Sequence, residues 1–244
     1  MNRSRMLVLL TYMLAVASPA RAQSTAWTDR GYFTAGVDVR LAAASVVDVV
    51  HPVVFAEPAV VSTTYDMKAS PGFAVGGGAR VWRNLAIGVE ATRVSGTQPG
   101  SVDAQVPHPF VFGKPRGVSG EGSFERADTA LHVQALWMIP LNARWRMSVE
   151  GGPSWISVRQ VLVTDVSVTQ TYPYDTATFA AVQTQQTTAS HVGFNAGVGA
   201  TRLLSRRAGV GVSASFSRAH IPLSASAATD AGGLHLNGGL RLLF

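Results

Sequence analysis

Apolar and polar residues alternate one by one in eight stretches of the chain, and each stretch predicts a strand with one oily and one wet face. The last stretch is the cleanest. Leu234, Leu236, Leu240, Leu242 and Phe244 share one parity, and His235, Asn237, Gly239 and Arg241 share the other. The first, about 32–42, sets Phe33, Ala35, Val37, Val39 and Leu41 against Thr34, Gly36, Asp38 and Arg40. A second, about 72–82, sets Phe73, Val75, Ala79 and Val81 against Gly76, Gly78 and Arg80. The two-residue turn Arg83-Asn84 joins it to a third, with Leu85, Ile87, Val89 and Ala91 opposite Gly88, Glu90 and Thr92, a hairpin signal. The fourth, about 124–138, opposes Leu131, Val133, Ala135 and Trp137 to Asp128, His132 and Gln134. The fifth begins at Trp145 and opposes Met147, Val149 and Trp155 to Arg146, Ser148, Glu150 and Ser154. Pro153 lacks a ladder donor and predicts a bulge or an early end there. The sixth opposes Val192, Phe194, Ala196, Val198 and Ala200 to His191, Gly193, Asn195, Gly197 and Gly199. The seventh opposes Val210, Val212, Ala214 and Phe216 to Gly211, Ser213 and Ser215.

The connections alternate in length. Long segments are expected at about 43–70, 95–122, 163–186 and 219–231, and short turns at 83–84, 140–144 and 205–207. Alternating loops and an even strand count predict an all-β, eight-stranded antiparallel barrel, an up-and-down meander with both termini at the end that carries the short turns. Phe33, Trp82, Trp137, Trp145 and Phe244 fall at that end, and Phe73, Trp155 and Phe216 fall toward the other rim, as interfacial rings do. Trp82 has inward parity and breaks the girdle. A soluble β-sandwich is the competing architecture.

Composition sharpens this picture. Only 14% of the 244 residues are charged, against about a quarter in a soluble domain. No run reaches the roughly 18–20 apolar residues of a membrane helix, so a span would need a closed barrel. Cysteine is absent, which excludes disulfides and cysteine–metal sites. Residues 1–22 read as a signal peptide. Arg3 and Arg5 precede an apolar core from Met6 to Ala17, and Ala20-Arg21-Ala22 forms the cleavage site, leaving a barrel domain at 23–244. Without Arg3, Arg5 and Arg21 the net charge falls from +6 to a balance of 17 basic against 14 acidic residues, and no basic run supports nucleic-acid binding.

The chain resembles the small bacterial outer-membrane β-barrels typified by the OmpA transmembrane domain, OmpX and OmpW. The resemblance rests on the dyad pattern, the loop alternation and the terminal aromatic strand, and covers residues 30–244. It implies an outer-membrane location, contact with lipids and lipopolysaccharide, and recognition of Leu240, Leu242 and Phe244 by the barrel-assembly machinery. Leu242 departs from the aromatic residue common two places before the end. Nothing follows the last strand, so the peptidoglycan-binding domain of longer relatives is not expected.

Eight strands leave an interior that side chains can fill. Asp38, Arg40, Arg80, Glu90, His132, Arg146, Glu150 and Arg241 all have inward parity, and buried charges must be paired. They are expected to form an ion-pair network that plugs the barrel. The expected role is structural or surface interaction through long extracellular loops that meet a ligand or protein. A narrow pore for small or apolar solutes is the alternative, and a lipid A-modifying enzyme the third reading. Enzymatic chemistry would need a serine activated by an oriented base. His132, His191 and His235 point inward. His51, His108 and His220 fall in loops, with His220 near Ser217 and Ser224 as a weak rim candidate. No catalytic residues, cofactor or metal site is therefore expected. Gly76-Gly77-Gly78 lies within a strand and is not a nucleotide-binding loop. The apolar 44–61 segment, rich in valine, reads as an extended hairpin in preference to a lid over the mouth.

Overall fold

The computed structural model describes residues 27–41, 44–224 and 228–244; the expected signal peptide lies outside them. Twelve strands are found among these residues: β1 (Gly31–Arg40), β2 (Val46–Val50), β3 (Val53–Val54), β4 (Glu57–Pro58), β5 (Val60–Tyr65), β6 (Ser70–Trp82), β7 (Leu85–Val106), β8 (Arg116–Pro140), β9 (Trp145–Thr169), β10 (Thr178–Leu203), β11 (Ala208–Pro222) and β12 (Ala228–Leu243). Eight of them close a ring. β7, β6, β1, β12, β11, β10, β9 and β8 pair in that order, and β8 returns to β7. Every pairing is antiparallel, and the first and last strands meet from Tyr32↔Leu243 to Arg40↔His235. The Phe244 carbonyl accepts from Arg30 N at 2.6 Å and Gly31 N at 2.9 Å, so the ring is clasped where its first and last strands meet. The expected eight-stranded meander is the ring observed.

The expected parities hold inside the ring, with two corrections. A register shift between Arg80 and Trp82 inserts one residue into β6. That bulge turns Trp82 outward, where it is 55% exposed and lies 6.5 Å from Trp137. Trp82 therefore completes the girdle that strict alternation would have it break. Pro153 neither bulges nor ends its strand. β9 runs through it to Thr169, and the ladder to β8 simply skips from His132↔Ser154 to Ala135↔Gly151. Gly152 makes the close passage workable, since a Cβ there would strike the Val133 carbonyl oxygen.

The larger correction concerns the long segments. Those expected at 95–122 and 163–186 are mostly strand. β7, β8, β9 and β10 are 22, 25, 25 and 26 residues long, against the 9–11 or so that cross a bilayer. β5 pairs with the upper part of β7 and β2 pairs with β5, so the 44–61 segment is an extended hairpin in the wall. β8 and β9 pair up to Arg126↔Gln160 and then part. Above this fork the sheet β2-β5-β7-β8 faces the β9–β10 hairpin. Val46, Val61, Tyr65, Val102, Phe124, Ile156, Leu162 and Val166 fill the space between them as one buried apolar cluster. Tyr65 and Phe124 meet edge to face at 5.1 Å, and the Tyr65 hydroxyl accepts from Val163 N at 2.8 Å. A small sandwich thus stands on the barrel mouth.

Candidate functional site

The ring presents a belt of exposed apolar side chains, among them Phe33, Val89, Trp137, Val198, Val212 and Leu240. Trp145 and Phe244 continue the lower girdle, and Phe73, Trp155, Phe194 and Phe216 form the upper one. Such a contiguous apolar surface is far beyond what a water-facing monomer carries. With its eight strands hydrogen-bonded into a closed ring, it is the surface of a barrel immersed in lipid. Leu240, Leu242 and Phe244 stand on this lipid face, 62%, 49% and 66% exposed.

Inside the belt the side chains lie in layers. At the turn end Trp27, 1% exposed, packs with Tyr32, Leu136, Met138 and Leu243. Arg80 donates to the Trp27 carbonyl oxygen, and Asp29 joins Arg146 to the Trp27 indole. Glu90, Glu150 and Arg241 line the next layer around a cavity of about 20 Å³. Arg241 lies over the Tyr32 ring at 5.1 Å and donates to Thr201 at 3.2 Å. Higher up, His132 Nδ1 meets Ser154 at 2.7 Å, Gln134 donates to Asn195 at 3.1 Å, and His235 Nδ1 lies 2.7 Å from Asp38. The top layer is a buried triad. Asp128 takes Arg40 on one side and Arg126 on the other, with Nε–Oδ1 at 2.9 Å, and Arg126 continues to Gln160 at 2.9 Å.

The eight expected interior residues thus all point inward, but they are not joined in one network. Arg40 pairs with Asp128, Asp38 with His235 and Arg146 with Asp29. Glu90 and Glu150 share a layer with Arg241 without forming an ion pair with it. Three essential partners, Trp27, Asp29 and Arg126, carried no sequence signal. Trp27 and Asp29 precede the first alternating stretch, and Arg126 sits where the fourth begins.

At the far end three tips are tied into a crown. The β3–β4 tip reaches the 107–115 tip through Glu57, whose carboxylate accepts from Gly113 N at 3.0 Å. Lys114 bonds Asp175 at 2.5 Å across to the 170–177 tip, and holds that carboxyl below the usual carboxylate range. Arg116 donates to Gln170, to the Tyr174 carbonyl and to the Pro107 carbonyl. His108 Nδ1 accepts from both Phe110 N and Val111 N at 3.1 Å. These bonds fix a framework from which Val53, Phe110, Phe112 and Tyr172 project, 75%, 74%, 78% and 86% exposed. Phe55 and Ala56 form the β3–β4 turn at φ 51° and 65°, a left-handed pair that hairpins normally build from Asn and Gly.

The weak rim candidate comes apart. His220 turns its Nδ1 to Asp230 at 3.2 Å, and Ser224 donates to Asp48 at 2.9 Å. Arg218 first, and His220 after it, hold the Asp230 carboxyl low. Among the described residues no group of three or more His, Cys, Asp or Glu side chains could hold a metal.

No family model matches the chain, and no curated protein is significantly similar to it. Solved structures with a comparable fold include the outer membrane protein OprG from Pseudomonas aeruginosa, at 11% identity over 89% of this chain and 96% of that one, TM-score 0.46. Neisserial surface protein A follows, at 10% identity over 88% and 97%, TM-score 0.44. The outer membrane protease OmpT from Escherichia coli shows 9% identity over 87% and 97%, TM-score 0.40. The architecture is that of an outer-membrane β-barrel, and it rests on the closed pairing and the apolar belt.

Proposed function

We propose that this protein is an outer-membrane barrel that holds a rigid, apolar crown clear of the membrane for contact with an external surface or protein. The observation that carries the reading is the crown itself. Exposed aromatic side chains usually signal an interface when they cluster, and here they are fixed in place by charged and backbone hydrogen bonds. Phe55 and Ala56 hold a costly backbone conformation at the same spot, the kind of outlier that collects at functional positions. The dry core beneath gives the crown a stiff base.

The interior supports a structural role. A cavity of about 20 Å³ has room for about one water, and the packed Trp27 layer and the buried Asp128 triad fill the barrel in other layers. This weighs against the pore. The separation of His220 from an activated serine weighs against hydrolytic chemistry. Leu240, Leu242 and Phe244 lie on the lipid face, where assembly machinery would meet them.

The test is retention on coated glass of Gram-negative cells that display the full chain. Wild-type cells are expected to hold to an alkyl-coated surface, and cells with Phe110→Ser, Phe112→Ser and Tyr172→Ser combined to lose about tenfold of that retention, about 1.4 kcal/mol in binding. Equal retention at equal surface display would sink the reading. Single-channel recording in planar bilayers covers the pore, and discrete conductance steps would replace the plugged interior with an open one.

A further inference from the structure

The crown tips at 51–59, 107–115 and 170–177 are short of free amide donors. Pro52, Pro58, Pro107, Pro109, Pro115 and Pro173 carry no amide proton. Other donors are turned back onto the tips themselves. Phe110 N and Val111 N both donate to His108 Nδ1, and Gly113 N donates to the two Glu57 oxygens at 3.0 and 3.2 Å. Ala59 N donates to the Pro52 carbonyl and Tyr174 N to the Thr171 carbonyl, each at 2.8 Å. The charges are engaged in the same way. Lys114 pairs with Asp175, Glu57 holds Gly113, and Arg116 is buried against three oxygen acceptors. The formal charges of Glu57, Lys114, Arg116 and Asp175 cancel.

What remains on display is hydrocarbon and rings. Phe110 meets Tyr174 at 5.4 Å, and Tyr172 stands edge-on to Tyr174 at 6.1 Å. Val111 and Phe112 are exposed on the same tip as Phe110, and Val53 and Phe55 on the tip that Glu57 joins to it. β7, the shortest of the four long strands, runs about 11 residues past a bilayer span, which lifts the crown about 25 Å clear of its own membrane even when tilted.

We infer that the crown enters the interfacial layer of a second lipid bilayer, facing the one that holds the ring. The inference rests on the crown reading above and names its partner. A surface that leaves water for lipid loses the hydration of each amide donor and charge it carries. Here prolines remove donors, internal bonds occupy others, and pairing neutralises the charges. Aromatic rings favour the layer between headgroups and acyl chains. A protein partner would be fixed by hydrogen bonds at about one per 100–200 Å², and the donors just named are already engaged. A tip of balanced charge matches zwitterionic headgroups better than an anionic or a cationic surface.

The test uses the full chain in lipid nanodiscs, mixed with separate phosphatidylcholine vesicles that are then floated through a density gradient. Wild-type nanodiscs are expected to float with the vesicles at least about tenfold more than empty nanodiscs, a ratio that needs no variant. Phe110→Ser, Phe112→Ser and Tyr172→Ser combined are expected to lose that excess, compared at equal boiled and unboiled gel mobility. Flotation should persist in 1 M NaCl, since apolar insertion is not screened. The chain has no cysteine, so Thr171→Cys takes a single environment-sensitive dye, which should brighten and shift to the blue when vesicles are added. Flotation no better than that of empty nanodiscs, its loss in high salt, or an unchanged dye spectrum overturns the bilayer as partner. Wild-type cells that hold to alkyl-coated glass while their protein ignores vesicles would overturn this inference alone and turn the crown toward a protein. Failure on both surfaces would overturn the crown reading with it.

Discussion

The lower and upper halves of this molecule share four strands and oppose each other in every other respect. In the ring, β7 sends Ile87 and Val89 outward and Gly88 and Glu90 inward. Higher on the same strand it sends Ser95, Ser101 and Asp103 outward and buries Val94, Val102 and Ala104. The backbone keeps its period of two while the chemistry of the two faces changes places. The reason is the medium. In the belt the outer solvent is hydrocarbon, so packing and internal polar layers hold the wall. Above it the outer solvent is water, so burial of apolar surface at about 25 cal/mol per Å² drives the sandwich together. The Asp128 triad sits at the changeover, where a polar interior meets a dry one. One strand thus obeys two folding rules, and the point of exchange can be read to within a rung.

Four perturbations would break or sharpen this contrast. The largest effect is expected at the changeover. Asp128→Ala strands Arg40 and Arg126 in a buried site and should cost about 3–5 kcal/mol, read as a drop in the unfolding midpoint. An unchanged midpoint would mean that water reaches the triad. Phe124→Ala should cost a similar or slightly smaller amount, about 3 kcal/mol, because it opens a cavity in the dry core. That loss should appear as faster amide exchange in the sandwich while the gel mobility of the ring stays unaltered; loss of both together would show that the halves fold as one unit. Val89→Arg should cost about 2–4 kcal/mol in a bilayer, whereas the equivalent outward change Ser101→Arg should lie within about 0.5 kcal/mol. Equal costs would place the membrane boundary elsewhere. The smallest effect is at the crown. Ala56→Gly relieves a left-handed alanine and should stabilise by about 1 kcal/mol at most, and a destabilised variant would mean that the turn is held by contacts of the alanine methyl.

The crown also carries a pH signature. Asp175 is held below its ordinary range by Lys114, so the tie contributes fully at pH above that range and is lost as pH falls below it, through the lower value that Lys114 imposes. Amide exchange at 107–115 and 170–177 should therefore quicken, relative to unstructured reference rates, as pH falls below about 4. Protection that stays constant would show that Glu57 and Arg116 hold the tips without help from this pair.

The ring was legible because lipid-facing alternation is unambiguous once several strands repeat it. Val210 and Val212 against Gly211 and Ser213 can be read in one way only. The sandwich was hidden by the same rule. Val102-Asp103-Ala104-Gln105-Val106 alternates as cleanly as any belt strand, but its oily parity is the inward one, and the surrounding Gly and Pro residues suggest a loop. A one-residue bulge leaves no mark in an alternating pattern, so parity alone sets Trp82 on the wrong face. Pro153 does not end its strand because a missing donor does so only where the ladder lacks other support, and β10 supplies it here. The interior residues were identified by parity, yet their partners were not, since parity gives a direction and no depth. Arg126 becomes visible only when the register places it, and Asp29 only when the segment before β1 is seen to fold into the turn end.

β9 and β10 remain paired from Arg202↔Trp145 to Thr178↔Thr169, an almost unbroken ladder from the turn end to the crown. A pull on the crown is directed along these strands, so it shears many rungs at once in place of unzipping them singly. Force felt at an aromatic tip would therefore pass into the girdle with little stretch.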